Sequence, residues 1–190
     1  LECRDAGKKI YAFSMNSSER DYYIKSLAKP VLIHPAGVLE FNGFAAETLF
    51  YGRALDKYGV DIQMARVGKY KSAVEPFVMD SMSPANREQE EKLVNGLFDQ
   101  FLEAVSRSRG LETGTLRGLA DGGGLFEGRD AVAAGLADRT AYFDEVIEEL
   151  KALAGGGASD ETFEQITLGD YARAVEADAK PASGKRIAVI

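Results

Sequence analysis

The 190-residue chain has one cysteine, Cys3, and one histidine, His34. A single cysteine excludes an intrachain disulfide, and one Cys with one His leaves too few of the usual ligands for a zinc site, so no metal or other cofactor is expected. Any Ser-His-Asp triad would have to use His34, which sits in a short apolar run just before Pro35 and reads as a structural histidine. Basic charge is short too: 23 Lys and Arg stand against 30 Asp and Glu, a net charge of −7. The clusters Lys8-Lys9 and Lys69-Tyr70-Lys71 are too small for the basic stripe that neutralises phosphates, so nucleic acid is not the expected partner. No apolar run reaches the roughly 18 residues of a spanning helix. The longest uncharged stretch, Pro30 to Leu39, holds two prolines and His34, and the fragment itself is expected to be soluble.

What is present is a globular composition, 45% hydrophobic and 28% charged, enough for one domain with a sizeable core or one domain with pieces of its neighbours. The chain opens Leu1-Glu2-Cys3-Arg4, with neither initiator methionine nor signal-peptide pattern. It closes on Ile187-Ala188-Val189-Ile190, which reads as a strand just starting, so a domain truncated at both ends is expected.

The first half reads β-α-β-α-β: a strand over Lys8 to Met15, a helix capped by Ser17 or Ser18 and stopped by Pro30, and a short buried strand Val31 to Ile33. A turn at Pro35-Ala36-Gly37 and another at Asn42-Gly43 lead to a helix over Ala46 to Tyr58, closed by Gly59. The alternation of Val60 to Val67 then predicts a half-buried strand. Alternating elements of this kind favour an α/β domain. Ser83-Pro84 is a helix start, with Ser as cap and Pro at the first position, for a long helix running to about Arg109. Its apolar face would carry Leu93, Leu97, Phe98, Phe101, Leu102 and Val105, while Glu88, Glu90, Glu91 and Lys92 form a solvated face. Helices are expected over Leu111 to Leu119, Arg129 to Leu136 and Asp144 to Leu153, and Gly122-Gly123-Gly124 reads as a tight turn because no Gly-Lys-Ser/Thr follows. The domain is placed at 1–175, a linker at 176–184, and the first strand of a further domain at 185–190.

With histidine so scarce, lysine is the remaining base type. A lysine can activate a serine if its amine is neutral, which means lowering a pKa of about 10.4 by about 3 units through desolvation rather than pairing it with a carboxylate. The segment Val67 to Phe77, VGKYKSAVEPF, holds Lys69, Lys71, Ser72 and Glu75 among apolar residues between Gly68 and Pro76. Spacing and physics alone do not choose between Lys69 and Lys71.

The run RVGKYKSAVEPF, followed by DSMSPA from Asp80 to Ala85, resembles the lysine motif of the signal peptide peptidase A (protease IV) family. The likeness extends upstream through Tyr22 to Ala28 and Ile33 to Val38, and downstream through LFEGRDAVAAGLAD from Leu125 to Asp138. The resemblance implies a Clp protease/crotonase-like α/β fold and a serine nucleophile with a lysine base. The substrates it implies are residual signal peptides and other apolar peptides. In long, two-domain members the amino-terminal domain supplies the lysine and the carboxy-terminal domain the serine. The lysine maps onto Lys71, and Lys69 falls where the family requires none. The family's catalytic domains place Ser-Gly-Gly before the aromatic pair, whereas Ser18-Glu19-Arg20-Asp21 precedes Tyr22-Tyr23, so the nucleophile is expected beyond Ile190 and this fragment alone is expected to be inactive.

The resemblance also implies a homo-oligomer and attachment to the bacterial cytoplasmic membrane through a segment absent from this chain, with the catalytic part on the outer face. Glu75, four residues from Lys71, could form a salt bridge if the loop were helical, and is expected to point away from it in the assembled enzyme. Two alternatives stand beside the peptidase reading: a non-catalytic scaffold that builds an oligomer and lines a substrate groove, and a crotonase-type acyl-CoA enzyme.

Overall fold

A computed structural model describes residues 6–65, 67–154, 163 and 165–178. It divides into two compact units, Leu1–Phe143 and Asp144–Ile190.

The first unit is mixed α/β. Strand β1 (Ala12–Ser17) leads into helix α1 (Glu19–Lys25), and β2 (Val31–Glu40) returns parallel to β1. The helices α2 (Gly52–Lys57), α3 (Glu75–Val78), α4 (Pro84–Arg109) and α5 (Thr113–Asp121) follow, then β3 (Leu125–Glu127), α6 (Gly128–Ala133) and β4 (Arg139–Thr140). β2 is the central strand. β1 lies on one flank, and the other is shared: β4 runs parallel to Leu32 and Ile33, while β3 runs antiparallel to Val38 to Glu40.

Three sequence expectations change between residues 35 and 65. The turn at Pro35 to Gly37 does not end the strand. Pairing passes from Ser14↔Ile33 to Asn16↔Val38, so Met15 faces a bulge of His34 to Gly37 and β2 resumes beyond it. The His34 Nδ1 accepts the Ala36 N–H at 3.1 Å inside the bulge, and a Cβ on Gly37 would collide with the Met15 carbonyl. The helix expected from Ala46 begins only at Gly52, because the Tyr51 N–H donates to the Pro76 carbonyl at 2.6 Å instead of joining an upstream turn. Gly59 does close it: at φ +70 its N–H reaches the Asp56 carbonyl, and the Val60 N–H reaches that of Leu55. The strand expected from Val60 is not formed over residues 60–65. Both flanks of β2 are occupied, and Val60, Ile62 and Met64 lie exposed with no strand partner among the described residues.

The long helix starts as its sequence dictates. Ser83 caps it by accepting the Asn86 N–H at 3.2 Å, Pro84 opens it, and Gly110 ends it in the left-handed region. Its second half enters the core through Phe98, Phe101, Leu102 and Val105, spaced i, i+3, i+4, i+7. Leu93 and Leu97, expected on that face, are exposed, and the buried apolar stripe begins at Phe98. Phe101 packs on Phe41, and Phe41 on Tyr22 in an edge-to-face contact at 5.9 Å. The buried Tyr22 hydroxyl donates to the Leu136 carbonyl at 2.6 Å, and burial pushes its ionisation up.

The second unit, described by itself, holds α7 (Phe143–Leu153), which begins at the boundary with acidic residues in its first turn, and α8 (Leu168–Asp178). Thr167 opens α8 by accepting the Asp170 N–H. The stretch read as a linker begins inside α8; residues 179–190, including the expected strand from Lys185, lie outside the described residues. No helix among the described residues is long and apolar enough to cross a membrane.

Candidate active site

The lysine segment is an irregular loop pinned at several points. Gly68 adopts φ +108, which only glycine takes without strain, and starts a turn that ends with the Lys71 N–H donating to the Gly68 carbonyl at 3.4 Å. A second turn follows, in which the Glu75 N–H donates to the Ser72 carbonyl at 2.9 Å, and α3 begins at Glu75 with Pro76 in its first turn. Helix α3 is held against α2 by the Tyr51 to Pro76 hydrogen bond, by stacking of Tyr51 on Phe77, and by the close approach of Gly52 to Met79. A Cβ on Gly52 would lie 2.7 Å from the Met79 carbonyl oxygen.

The two lysines of this segment have different surroundings. The Lys69 amine lies 3.9 Å from the Glu88 carboxylate and 5.0 Å from the centre of the Tyr70 ring. Glu88 also takes the Lys92 amine at 2.9 Å, and that hydrogen bond and the positive charge beside it hold its carboxyl below the usual range. Among the described residues nothing pairs with the Lys71 amine. Lys71 is exposed and lines an open cavity of about 510 Å³ with Ala65, Val67, Tyr70, Ser72, Ala73, Val74 and Gln89. Ser72 is the one serine in that lining, and neither Ser18 nor His34 reaches it.

Glu75 is buried, 1% exposed. Its Oε1 accepts the Ser83 hydroxyl at 2.7 Å and its Oε2 the Ser83 N–H at 3.2 Å. Because the helix begins at Glu75 itself, the helical i,i+4 relation to Lys71 does not arise.

Ser18 is committed to local structure. It caps α1 by accepting the Asp21 N–H at 3.4 Å, while its hydroxyl donates to the Asp21 carboxylate at 2.9 Å and its own N–H to the same oxygen at 3.3 Å. These bonds, the hydroxyl's first, hold the Asp21 carboxyl below its ordinary value. Sequence reasoning missed its neighbour. Glu19, the first residue of α1 and one of three consecutive charged residues, is 8% exposed, and its Oε1 accepts the Asn42 N–H at 2.6 Å and the Gly43 N–H at 3.1 Å. Glu19-Arg20-Asp21 fills the three positions directly before the aromatic pair, and the first of them carries a carboxylate already held by two backbone amides.

His34 is half-buried, bonded within the bulge and set edge-on to Tyr142 at 5.1 Å. The glycine run serves the turn into β3: Gly123 and Gly124 take positive φ, and the Gly124 carbonyl accepts the Phe41 N–H at 2.6 Å. Among the described residues no group of three His, Cys, Asp or Glu side chains is placed to hold a metal.

Asp138, at the end of the LFEGRDAVAAGLAD stretch, is structural. It accepts the Val31 N–H at 2.6 Å and both terminal nitrogens of Arg109, whose Nε also donates to the Gly135 carbonyl. This ties the C-terminus of α4 to the start of β2.

Comparison with known proteins places these features in a family. The family model for peptidase family S49 matches residues 2–156. Protease 4 of Salmonella typhi is 35% identical over 196 residues, an alignment covering 100% of this chain and 31% of that protein. The chloroplastic serine protease SPPA of Arabidopsis thaliana is 27% identical over 155 residues, 82% of this chain and 23% of that protein. A putative signal peptide peptidase SppA of Enterococcus faecium is 27% identical over 146 residues, 74% of this chain and 40% of that one. The chain therefore spans less than half the length of each of these relatives. Since the matched region runs from β1 through α7 and takes in both the sheet and the pinned lysine loop, the chain belongs to peptidase family S49.

Proposed function

We propose that the chain is the amino-terminal, lysine-bearing part of a long, two-domain serine peptidase with a Clp protease/crotonase-like fold, and that Lys71 is its general base. The observation that carries the reading is the Lys71 amine, which lines a cavity on a pinned loop and has no partner among the described residues, while Lys69 is engaged by Glu88. The nucleophile belongs to a part of the protein outside this chain, since Ser18 is held in a capping box and Ser18-Glu19-Arg20-Asp21, not Ser-Gly-Gly, precedes the aromatic pair.

In the complete enzyme the serine hydroxyl passes its proton to the Lys71 amine as its oxygen attacks the scissile carbonyl. Backbone amides hold the oxyanion, and the proton goes to the leaving amine. Water activated by the same lysine then hydrolyses the acyl-enzyme. A lysine base works when water is withdrawn from it. Lys71 is exposed here, so the rest of the protein provides that cover. The names of the relatives, a protease and a signal peptide peptidase, support cleaved signal peptides and other apolar peptides as substrates. An assembly of several copies at the outer face of the cytoplasmic membrane, anchored through a segment outside this chain, completes the proposal.

The test is peptidase activity of the full-length protein carrying Lys71→Ala or Lys69→Ala. Loss in the first and retention in the second is expected. Full activity in the Lys71 variant would sink the assignment. A scaffold role is compatible in part, since the capped Ser18 gives this fragment no free nucleophile at that place; labelling of the fragment at Ser18 by a fluorophosphonate would contradict both readings.

A further inference from the structure

We infer that Glu75 is a positioning residue for Lys71: its buried carboxylate, by taking the amide and the hydroxyl of Ser83, fixes the lysine loop to the first turn of α4. The inference rests on the reading of Lys71 as the base.

Glu75 grips both sides of this junction. Its backbone N–H donates to the carbonyl of Ser72, the residue after Lys71, and its side chain reaches Ser83 eight residues ahead. Ser83 is itself fixed, because its hydroxyl accepts the Asn86 N–H and its carbonyl accepts the Arg87 N–H, the first bonds of a 26-residue helix. A hydroxyl can donate to the carboxylate and accept from the amide at once, so the cap and the clamp do not compete. The far half of that helix is anchored in the core by Phe98, Phe101, Leu102 and Val105. The position of Lys71 is thereby referred, through Glu75 and Ser83, to a long helix whose second half is packed in the core. The Tyr51 to Pro76 bond fixes α3 to α2 but reaches neither Ser83 nor α4.

This clamp is distinct from a charge effect. Were Glu75 to act on Lys71 by its charge, its neutralisation would make the amine easier to deprotonate, and activity would rise at lower pH. A clamp acts oppositely, because a loosened loop lets water back to the amine, so activity rises only at higher pH. The carboxylate also keeps the amine within reach of the serine, which bears on turnover more than on substrate capture.

The experiment uses the full-length protein with Glu75→Gln, Ser83→Ala, the double variant, Ser83→Thr and Lys71→Ala, each followed for kcat, KM and the pH at which activity rises. Glu75→Gln and Ser83→Ala should each lower kcat about tenfold to a hundredfold with KM within about twofold, the loss expected from a misplacement of roughly an ångström. Both should move the rise of activity to higher pH, the double variant should be no worse than the poorer single one, and Ser83→Thr, which keeps the hydroxyl, should recover activity. A shift to lower pH in Glu75→Gln with Ser83→Ala unchanged would overturn the clamp in favour of a charge effect. Unchanged kcat in both, with Lys71→Ala inactive, would overturn the clamp and leave the lysine reading standing. An active Lys71→Ala would remove the lysine reading and the clamp with it. If Glu75→Gln does not fold, the two Ser83 variants decide the matter alone.

Discussion

Asp138→Asn tests whether the Asp138 cluster holds the sheet to the long helix. Three donors meet two oxygens: Oδ2 takes Arg109 Nη1 and the Val31 N–H, and Oδ1 takes Arg109 Nη2. An asparagine amide replaces one oxygen by a donor, so in its better orientation it keeps two bonds and sets an N–H group against the guanidinium. The Arg109 side chain, 7% exposed, keeps the Gly135 carbonyl and one hydrogen bond to the amide oxygen but loses its counter-charge. Breaking a fully buried pair costs about 3–5 kcal/mol. The Asp138 side chain is 31% exposed, so solvent softens the loss to about 2–3 kcal/mol. For a chain of this size that lowers the melting temperature by about 5–10 °C.

The assay is urea unfolding followed by circular dichroism, with Arg109→Met and the double variant closing a cycle. A coupling above about 1 kcal/mol is expected. Partial burial pushes the Asp138 carboxyl up, but the Arg109 and Val31 hydrogen bonds outweigh it and hold the group below its ordinary value. A carboxyl lowered on folding contributes stability above the unfolded value, about pH 3.9, and loses it as pH falls through the folded one. The gap between wild type and Asp138→Asn should therefore be full at neutral pH and close in acid. A gap under about 0.5 kcal/mol at pH 7, or one that widens in acid, would refute the reasoning.

Two other substitutions read the packing. Gly128→Ala would place a Cβ 2.5 Å from the His34 carbonyl oxygen and 3.0 Å from that of Pro35, both backbone, and should cost about 2–3 kcal/mol in urea unfolding. Gly96→Ala, on open helix surface, should instead stabilise by up to about 1 kcal/mol. Glu19→Ala leaves the Asn42 and Gly43 amides without their acceptor. It should lower stability by about 1–2 kcal/mol and speed hydrogen exchange at those two amides, and unchanged exchange would show that the carboxylate does not hold them.

Much of the fold was legible because it is locally encoded. Pro84 with Ser83, Gly59 and the cap offered by Ser17 or Ser18 mark helix ends through backbone chemistry that needs no distant partner, and the structure uses the first two so and takes Ser18 for the third. β3 and β4 were not legible, since three and two residues carry no period and exist only because β2 offers a free flank. Residues 60–65 show the converse: the alternation is present, and no strand among the described residues receives it.

The lysine segment divides in the same way. Its residue types and its resemblance to a family can be read along the chain, as can the lack of Ser-Gly-Gly before Tyr22. The sequence by itself determined that this is an α/β chain with a long capped helix, little histidine and a lysine motif, because composition, caps and motifs act over a few residues. Only the tertiary structure decided which lysine meets Glu88, that Glu75 turns to Ser83, and that Glu19 is buried on two amides. Each of those depends on what a distant segment brings to the side chain, and burial and hydrogen-bond partners are set by packing rather than by neighbours in sequence.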